Sequence, residues 1–374
     1  MLSGWDHATV PGSGKASHFD LWRHENASLK DPTMPSEAMI VSDEPPPSAE
    51  VRRPVASRSP VARDRYTSQA FLDSELAKVF GKVWQVACMT ADLREVGDFY
   101  EYKIGRQSIL IVRDTPESLR AFHNVCQHRG RQLKKEQGNA AKIRCGYHGW
   151  TWALDGHIEH VPERGEFCPF IDADVALVPV LVDIWECFVF VNLDLEATPL
   201  LDYLGDFSKA VAPYRLHHQH KWWSRTKTMN VNWKAGLDAF QEDYHARYVH
   251  PNTKSFVDYT DNPIDLLGDH SRLIATFGAP DALSGDEPSM RECLDSMEWT
   301  LNAFGEDTSM VTHLRELDLA DGQPLREVIL PLIKAGMQAR GFDISGMNDA
   351  QLVDQSSHYI FPNMSLQLMS HGAG

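Results

Sequence analysis

Basic residues are in short supply. The 374-residue chain has 36 Lys and Arg against 52 Asp and Glu, a formal charge of −16. That balance argues against a nucleic-acid binder or a polybasic membrane anchor. Long apolar runs are missing as well. The best candidate, VALVPVLVDIWECFVFVNL at 175–193, is interrupted by Pro179, Asp183 and Glu186 and reads as two short strands rather than a span of about 18 residues. No charged start leads into an apolar core, so a secretory signal is not expected. Cysteine is sparse, with six residues: Cys88, Cys126, Cys145, Cys168, Cys187 and Cys293. Four of them are scattered without regular spacing and read as buried reduced thiols, which implies a cytoplasmic location. No nicotinamide or flavin fingerprint occurs. The GSGK at 12–15 is followed by Ala16 where a phosphate loop needs Ser or Thr, and no strand precedes it.

What is present divides into three. Residues 1–64 read as a disordered tail, typified by the Pro-, Ser- and charge-rich DEPPPSAEVRRPVASRSPVARD. Residues 65–198 open on TSQAFLDSELAKVFGKVW, a helix capped by Thr67 or Ser68, and continue as short β-runs with Gly or Asp at the turns. Residues 199–374 mix helix and strand. WWSRTKTMN reads as a strand, a helix runs from about Lys234 to just before Pro251, two more helices follow, and HYIFPNMSLQLMS reads as a strand. The expected class is α+β.

Two constellations carry chemistry. The first is NVCQHRGRQLKKEQGNAAKIRCGYHGW, in which Cys126-x-His128 is followed by Cys145-x-x-His148. Zinc ribbons pair cysteine with cysteine, and classical fingers pair histidine with histidine. Here each half supplies one thiol and one imidazole. That suits two unlike irons, one held by Cys126 and Cys145 and the other by His128 and His148, as in a Rieske [2Fe–2S] centre. The loops carry no additional cysteine and have Trp150 where a hydroxyl would raise the potential, so a low-potential centre is expected. His123 lies off the pattern and reads as a packed histidine.

The second constellation is QEDYHARYVHP, with Glu242, His245 and His250 at i, i+3 and i+8. On a helix Glu242 and His245 share a face, whereas His250 is about 140° away from His245. Pro251 offers a way to bring it round, since it disfavours the α region for the residue before it. Read alone, the segment is either a metal site or a set of surface histidines.

Taken together, the two motifs, Asn232-Trp233-Lys234 and Tyr359 to Asn363 resemble the large (α) subunit of the Rieske non-haem iron oxygenases, the aromatic-ring-hydroxylating family, from about residue 65 to the end. The resemblance implies an all-β Rieske domain followed by a helix-grip (START/Bet v1-like) catalytic domain. It implies His245 and His250 as ligands of a mononuclear Fe(II), and Glu242 as a catalytic bridge to a Rieske histidine of a neighbouring subunit in a homotrimer. It further implies O2 as co-substrate, electrons from an external NAD(P)H-dependent reductase with or without a ferredoxin, and mono- or dihydroxylation of a small hydrophobic, aromatic substrate. The alternatives are O- or N-demethylation by a mono-oxygenase and a non-catalytic relative. Two departures stand out. Ala239 occupies a position usually held by Asn. The carboxylate iron ligand usually follows the IFPN strand by some tens of residues, whereas this sequence stops at Gly374, so a catalytic domain truncated at its C-terminus is expected. Asp354 is a poor substitute for that ligand.

Overall fold

The computed structural model describes residues 61–368 apart from 168, 171, 220, 222, 223, 261, 286, 306 and 307. These residues belong to one unit. Residues 1–60 of the expected tail, GSGK among them, lie outside the described residues, as does Cys168. The chain is first described at Val61 and makes one helical turn at Asp64–Thr67. The helix Gln69–Lys78 follows, with Ser68 Oγ accepting the Phe71 N–H at 3.3 Å. That hydroxyl satisfies one of the donors every helix start leaves open.

Ten strands then form two sheets: β1 (Gln85–Met89), β2 (Asp98–Ile104), β3 (Gln107–Arg113), β4 (Leu119–His123), β5 (Gln137–Asn139), β6 (Ile143–Arg144), β7 (Thr151–Trp152), β8 (Ile158–His160), β9 (Pro179–Trp185) and β10 (Phe188–Asn192). The larger sheet runs β1-β10-β9-β4-β3-β2-β5 and the smaller β6-β7-β8, all pairs antiparallel. The interrupted apolar run at 175–193 is indeed two strands, the β9–β10 hairpin. In β3 the continuous Ile109-Leu110-Ile111-Val112 is buried throughout because both faces of the sheet are covered. Leu110 and Val112 point into a core with Phe122, Trp150 and Trp152, while Ile109 and Ile111 point into another with Leu93, Val189 and Val191. This is the period of two that places successive side chains on opposite faces.

The second half holds a sheet built from β11 (Val257–Asp258), β12 (Ile264–Leu267), β13 (His270–Phe277), β14 (Gln355–Ile360) and β15 (Met364–Leu368). Helices Met290–Phe304, Ser309–Glu316 and Leu325–Ala339 pack beside it around Met297, Val311, Leu314 and Ile329. The first of these starts on a reciprocal cap. Glu292 N–H donates to Ser289 Oγ at 3.3 Å, and Ser289 N–H donates to Glu292 Oε2 at 2.9 Å. A third core sets Trp84, Trp185 and Phe190 of the first half against Leu200, Phe207 and Ile360. Asn363 reinforces it, accepting the Val86 N–H at 3.1 Å and donating to the Val86 carbonyl at 3.0 Å.

Three expectations are corrected. Residues 224–229 form no strand. The described part of HYIFPNMSLQLMS, residues 358–368, is a hairpin, because Pro362 and Asn363 interrupt the ladder between β14 and β15. The helix drawn from Lys234 to 250 is two pieces, Trp233–Asp238 and Ala246–Val249. The first stops with Ala239 as its C-cap, and the intervening residues are turns and bends.

Candidate metal centres

The loops bearing the four Cys and His residues are built alike. Cys126 N–H donates to the Arg131 carbonyl at 2.8 Å, and Cys145 N–H to the Trp150 carbonyl at 2.8 Å. The Cys126 carbonyl accepts from Gly130 N–H at 2.9 Å, and the Cys145 carbonyl from Gly149 N–H at 3.1 Å. Gly130 and Gly149 have φ of +72° and +76°, the left-handed region a side chain disfavours. Each cysteine therefore starts a turn closed four residues later by glycine. That repeat is visible in the sequence as the two glycines four residues after each thiol.

The turns bring all four side chains together. Both thiols are buried, and burial and the adjoining Cys145 thiol push the Cys126 pKa up. The His128 and His148 rings lie 4.7 Å apart. His128 stacks on Trp150 at 4.9 Å and 5°, and His148 stacks on exposed Tyr147 at 3.8 Å. His128 Nδ1 is buried without a hydrogen-bond partner among the described residues. A buried ring nitrogen left open in this way is costly unless something coordinates it. Two thiols, two imidazoles and an unsatisfied ring nitrogen fit a two-iron cluster.

The second constellation is also assembled, though not by a helical face. Glu242 precedes the short helix and folds onto it: Oε1 lies 2.6 Å from His245 Nδ1, and Oε2 accepts the His245 N–H at 3.1 Å. The carboxylate fixes the ring and leaves Nε2 as the free donor. His250 has φ −121° and ψ 56°, outside the α region as Pro251 demands. Its ring comes to 5.5 Å from that of His245. Asp243 turns away to accept from Asn262 Nδ2 at 2.6 Å, and burial raises its pKa to about 6.

No third side chain joins the pair: among the described residues no group of three or more His, Cys, Asp or Glu is arranged to hold one ion. Asp354 is engaged elsewhere, with Arg326 Nη2 at 3.1 Å and Phe277 N–H at 3.0 Å. His245 and His250 with Glu242 behind them fit two-thirds of a facial iron site. Next to His250, a cavity of about 550 Å³ opens between Pro251, Asn252 and Ser255 on one side and Glu287, Glu292 and Ser296 on the other. Sequence reasoning gave Asn252 no role.

Comparison with known proteins agrees with this geometry. The family described as "Rieske [2Fe-2S] domain" matches residues 83–180, and "Ring hydroxylating alpha subunit (catalytic domain)" matches residues 212–372. The chain belongs to the Rieske oxygenase large-subunit family. A [2Fe–2S] cluster and a mononuclear iron are the cofactors of such subunits. The oxygenase subunit of carnitine monooxygenase from Escherichia coli (strain K12) is 35% identical over 189 residues, 50% of each chain. The large subunit of anthranilate 1,2-dioxygenase from Acinetobacter baylyi is 30% identical over 242 residues, 60% of this chain and 50% of its own. A crystal structure of a quaternary ammonium Rieske monooxygenase with an inhibitor aligns with TM-score 0.53 and 28% identity, covering 57% of this chain and 61% of that one. This Rieske oxygenase chain spans about half the length of the curated relatives it matches. Among the described residues no helix is long and apolar enough to cross a membrane.

Proposed function

We propose that the chain is the terminal oxygenase component of a multi-protein system that uses O2 and electrons from an external NAD(P)H-dependent reductase, directly or through a ferredoxin, to oxygenate a small organic substrate. The observation that carries this reading is the presence in one chain of two separate donor sets, Cys126/His128/Cys145/His148 and His245/His250. An electron carrier needs only the first. Cys126 and Cys145 would hold one iron of the cluster and His128 and His148 the other, while His245 and His250 would hold the mononuclear Fe(II). Together these groups supply single-electron delivery and O2 activation. The chain's own residues orient and exclude. Trp150 and Phe167 pack on His128, and Glu242 keeps the proton of His245 on Nδ1, so that Nε2 is free to coordinate.

The substrate was expected to be aromatic. The cavity beside His250 favours the mono-oxygenase branch instead. Its walls carry Asn252, Ser255, Glu287 and Glu292 together with Lys254, a mixed polar lining that suits a polar molecule better than a hydrocarbon ring. Relatives named for carnitine and glycine betaine, at 35% and 30% identity, support the same branch. Hydroxylation next to nitrogen, leading to C–N cleavage, is then the reaction class.

A homotrimer in which the cluster of one subunit serves the iron of the next completes the proposal. Its support is surface chemistry. Tyr244, Tyr248 and Val249, beside the iron histidines, are 82%, 81% and 63% exposed, and Tyr147 stands exposed on the cluster loops. A related quaternary ammonium mono-oxygenase is described as having inter-subunit electron transfer. A helix-grip arrangement of the second half and a cytoplasmic location belong to the same reading, the latter supported by the unpaired Cys88, Cys187 and Cys293. The test is substrate-dependent O2 uptake with reductase and NADH, screened over aromatic acids and quaternary amines, alongside iron analysis. Two irons per chain and no uptake with either class would refute it.

A further inference from the structure

His245 and His250 are five residues apart, and the helix between them has only four residues, Ala246–Val249. A helix that short does not hold its own shape, so the angle between the two rings must be set from outside. One residue is placed to set it. Asp281 is 1% exposed. Its carboxylate is gripped by Arg247, the residue midway in the segment, through Nε to Oδ2 and through Nη2 to Oδ1 at 3.0 Å. Its backbone N–H donates to the Lys254 carbonyl at 2.8 Å, on the far side of His250. Thr260 Oγ1 at 3.2 Å and Leu283 N–H at 3.3 Å complete the carboxylate's partners. Burial alone would push the Asp281 carboxyl up, but the Arg247 fork and the other donors hold it below its ordinary range.

We propose that Asp281 is a positioning residue of the mononuclear iron site: through Arg247 before His250 and Lys254 after it, it holds the chain on both sides of His250 and fixes the bite of the two imidazoles. The inference rests on the reading of His245 and His250 as iron ligands. A fork of two nearly parallel N–H···O bonds restrains direction as well as distance, which a single ion pair from Lys would not do. Residues that orient metal ligands in this way typically change metal affinity by about 10–100-fold when removed.

The experiment uses the full chain with its cluster assembled and the mononuclear site emptied by a mild chelator, then titrated with Co(II) and with Fe(II). Asp281→Asn and Arg247→Gln are compared with the parent. Expected are an unchanged cluster absorbance spectrum, about 10-fold or weaker binding of both metals, an altered Co(II) visible spectrum, and an effect of the double variant no larger than that of either single one. Arg247→Lys should recover only part of the affinity. Arg247→Gln, on a side chain that is 21% exposed rather than fully buried like that of Asp281, keeps the test alive should Asp281→Asn fail to fold. Parent-like affinity and an unchanged Co(II) spectrum in Arg247→Gln would overturn the clamp. If the parent itself takes up no Co(II), or takes it up equally with both histidines replaced, it is the ligand assignment that fails.

Discussion

Lys234 Nζ sits 2.8 and 2.9 Å from the two carboxylate oxygens of Glu75, joining the first described long helix to the helix that precedes His245 and His250. Trp233 Nε1 donates to the same carboxylate at 3.0 Å, and the rings of Tyr66, Phe71 and Trp233 surround the ammonium at 5.0 to 5.5 Å. Both side chains are largely buried. Glu75→Ala therefore strands a cation among aromatic rings and is expected to cost about 3 kcal/mol. Urea denaturation of parent and variant checks this; a loss below about 0.5 kcal/mol would mean the contact is inert.

The two donor sets should be separable by substitution. His128→Ala is expected to abolish the cluster's visible absorbance while His245 and His250 still bind Co(II). His245→Ala should leave the cluster spectrum intact and abolish Co(II) uptake at the second site. Iron analysis with absorbance spectroscopy reads both. Retention of the cluster spectrum in His128→Ala would remove that residue from the ligand set.

Glu242 makes two contacts with His245 and is half-exposed. Glu242→Ala should weaken metal binding by about 10-fold, because the ring loses its orienting partner. Glu242→Gln, which keeps a hydrogen-bonding group, should lose less affinity and yet slow electron transfer from cluster to iron across the proposed subunit interface. Single-turnover oxidation of the pre-reduced cluster measures that step. A parent-like rate at full iron occupancy would show that electrons take another route.

His358 is fully buried, with neither ring nitrogen hydrogen-bonded among the described residues and Phe207 and Tyr214 set edge-on to it. Burial, aided by the Arg272 charge, lowers its pKa from 6.5 to about 3. The unfolded chain then takes up the proton first. Above about pH 6.5 the ring is neutral in both states and stability does not depend on its titration; stability falls as pH drops from there toward 3, by up to about 1.4 kcal/mol per unit. Denaturation at pH 7.5 and pH 5 should show a smaller difference in His358→Leu than in the parent. Equal differences would mean the ring is not the titrating group.

Gly156 closes the turn between β7 and β8 at φ +89°, and a Cβ there would lie 2.5 Å from the Phe122 ring. Phe122 is itself locked in the core beneath the cluster loops. Gly156→Ala is expected to cost about 2–4 kcal/mol through strain and overpacking, read as a lowered unfolding midpoint.

Local signals in the sequence were strong where chemistry is local. Cys126-x-His128 and Cys145-x-x-His148 pointed to a cluster because thiol and imidazole in each half have few other uses, and the glycines four residues after each cysteine fix the turns. The amphipathic stretches at 290–304 and 325–339 were readable because burial on one face imposes a helical period, and the apolar run of β3 because a strand covered on both faces is apolar throughout. Pro251 likewise announced the departure of His250 from helical geometry.

The rest depended on residues distant in sequence. The break at Ala239 was invisible because 234–250 has the composition of a helix, yet Glu242 gains more by folding onto His245 and Asp243 by reaching Asn262 than by continuing one. Glu75 with Lys234, Asp281 with Arg247, and Asn363 with Val86 are pairs 159, 34 and 277 residues apart. No periodicity reports them, because buried charges and amides are satisfied by whichever partner the packed chain brings near. The sequence by itself determined which side chains are available as metal donors, two thiols and four imidazoles in two motifs. Only the tertiary structure decided how His245 and His250 are held to face each other, because a four-residue helix lacks the stiffness to do so alone.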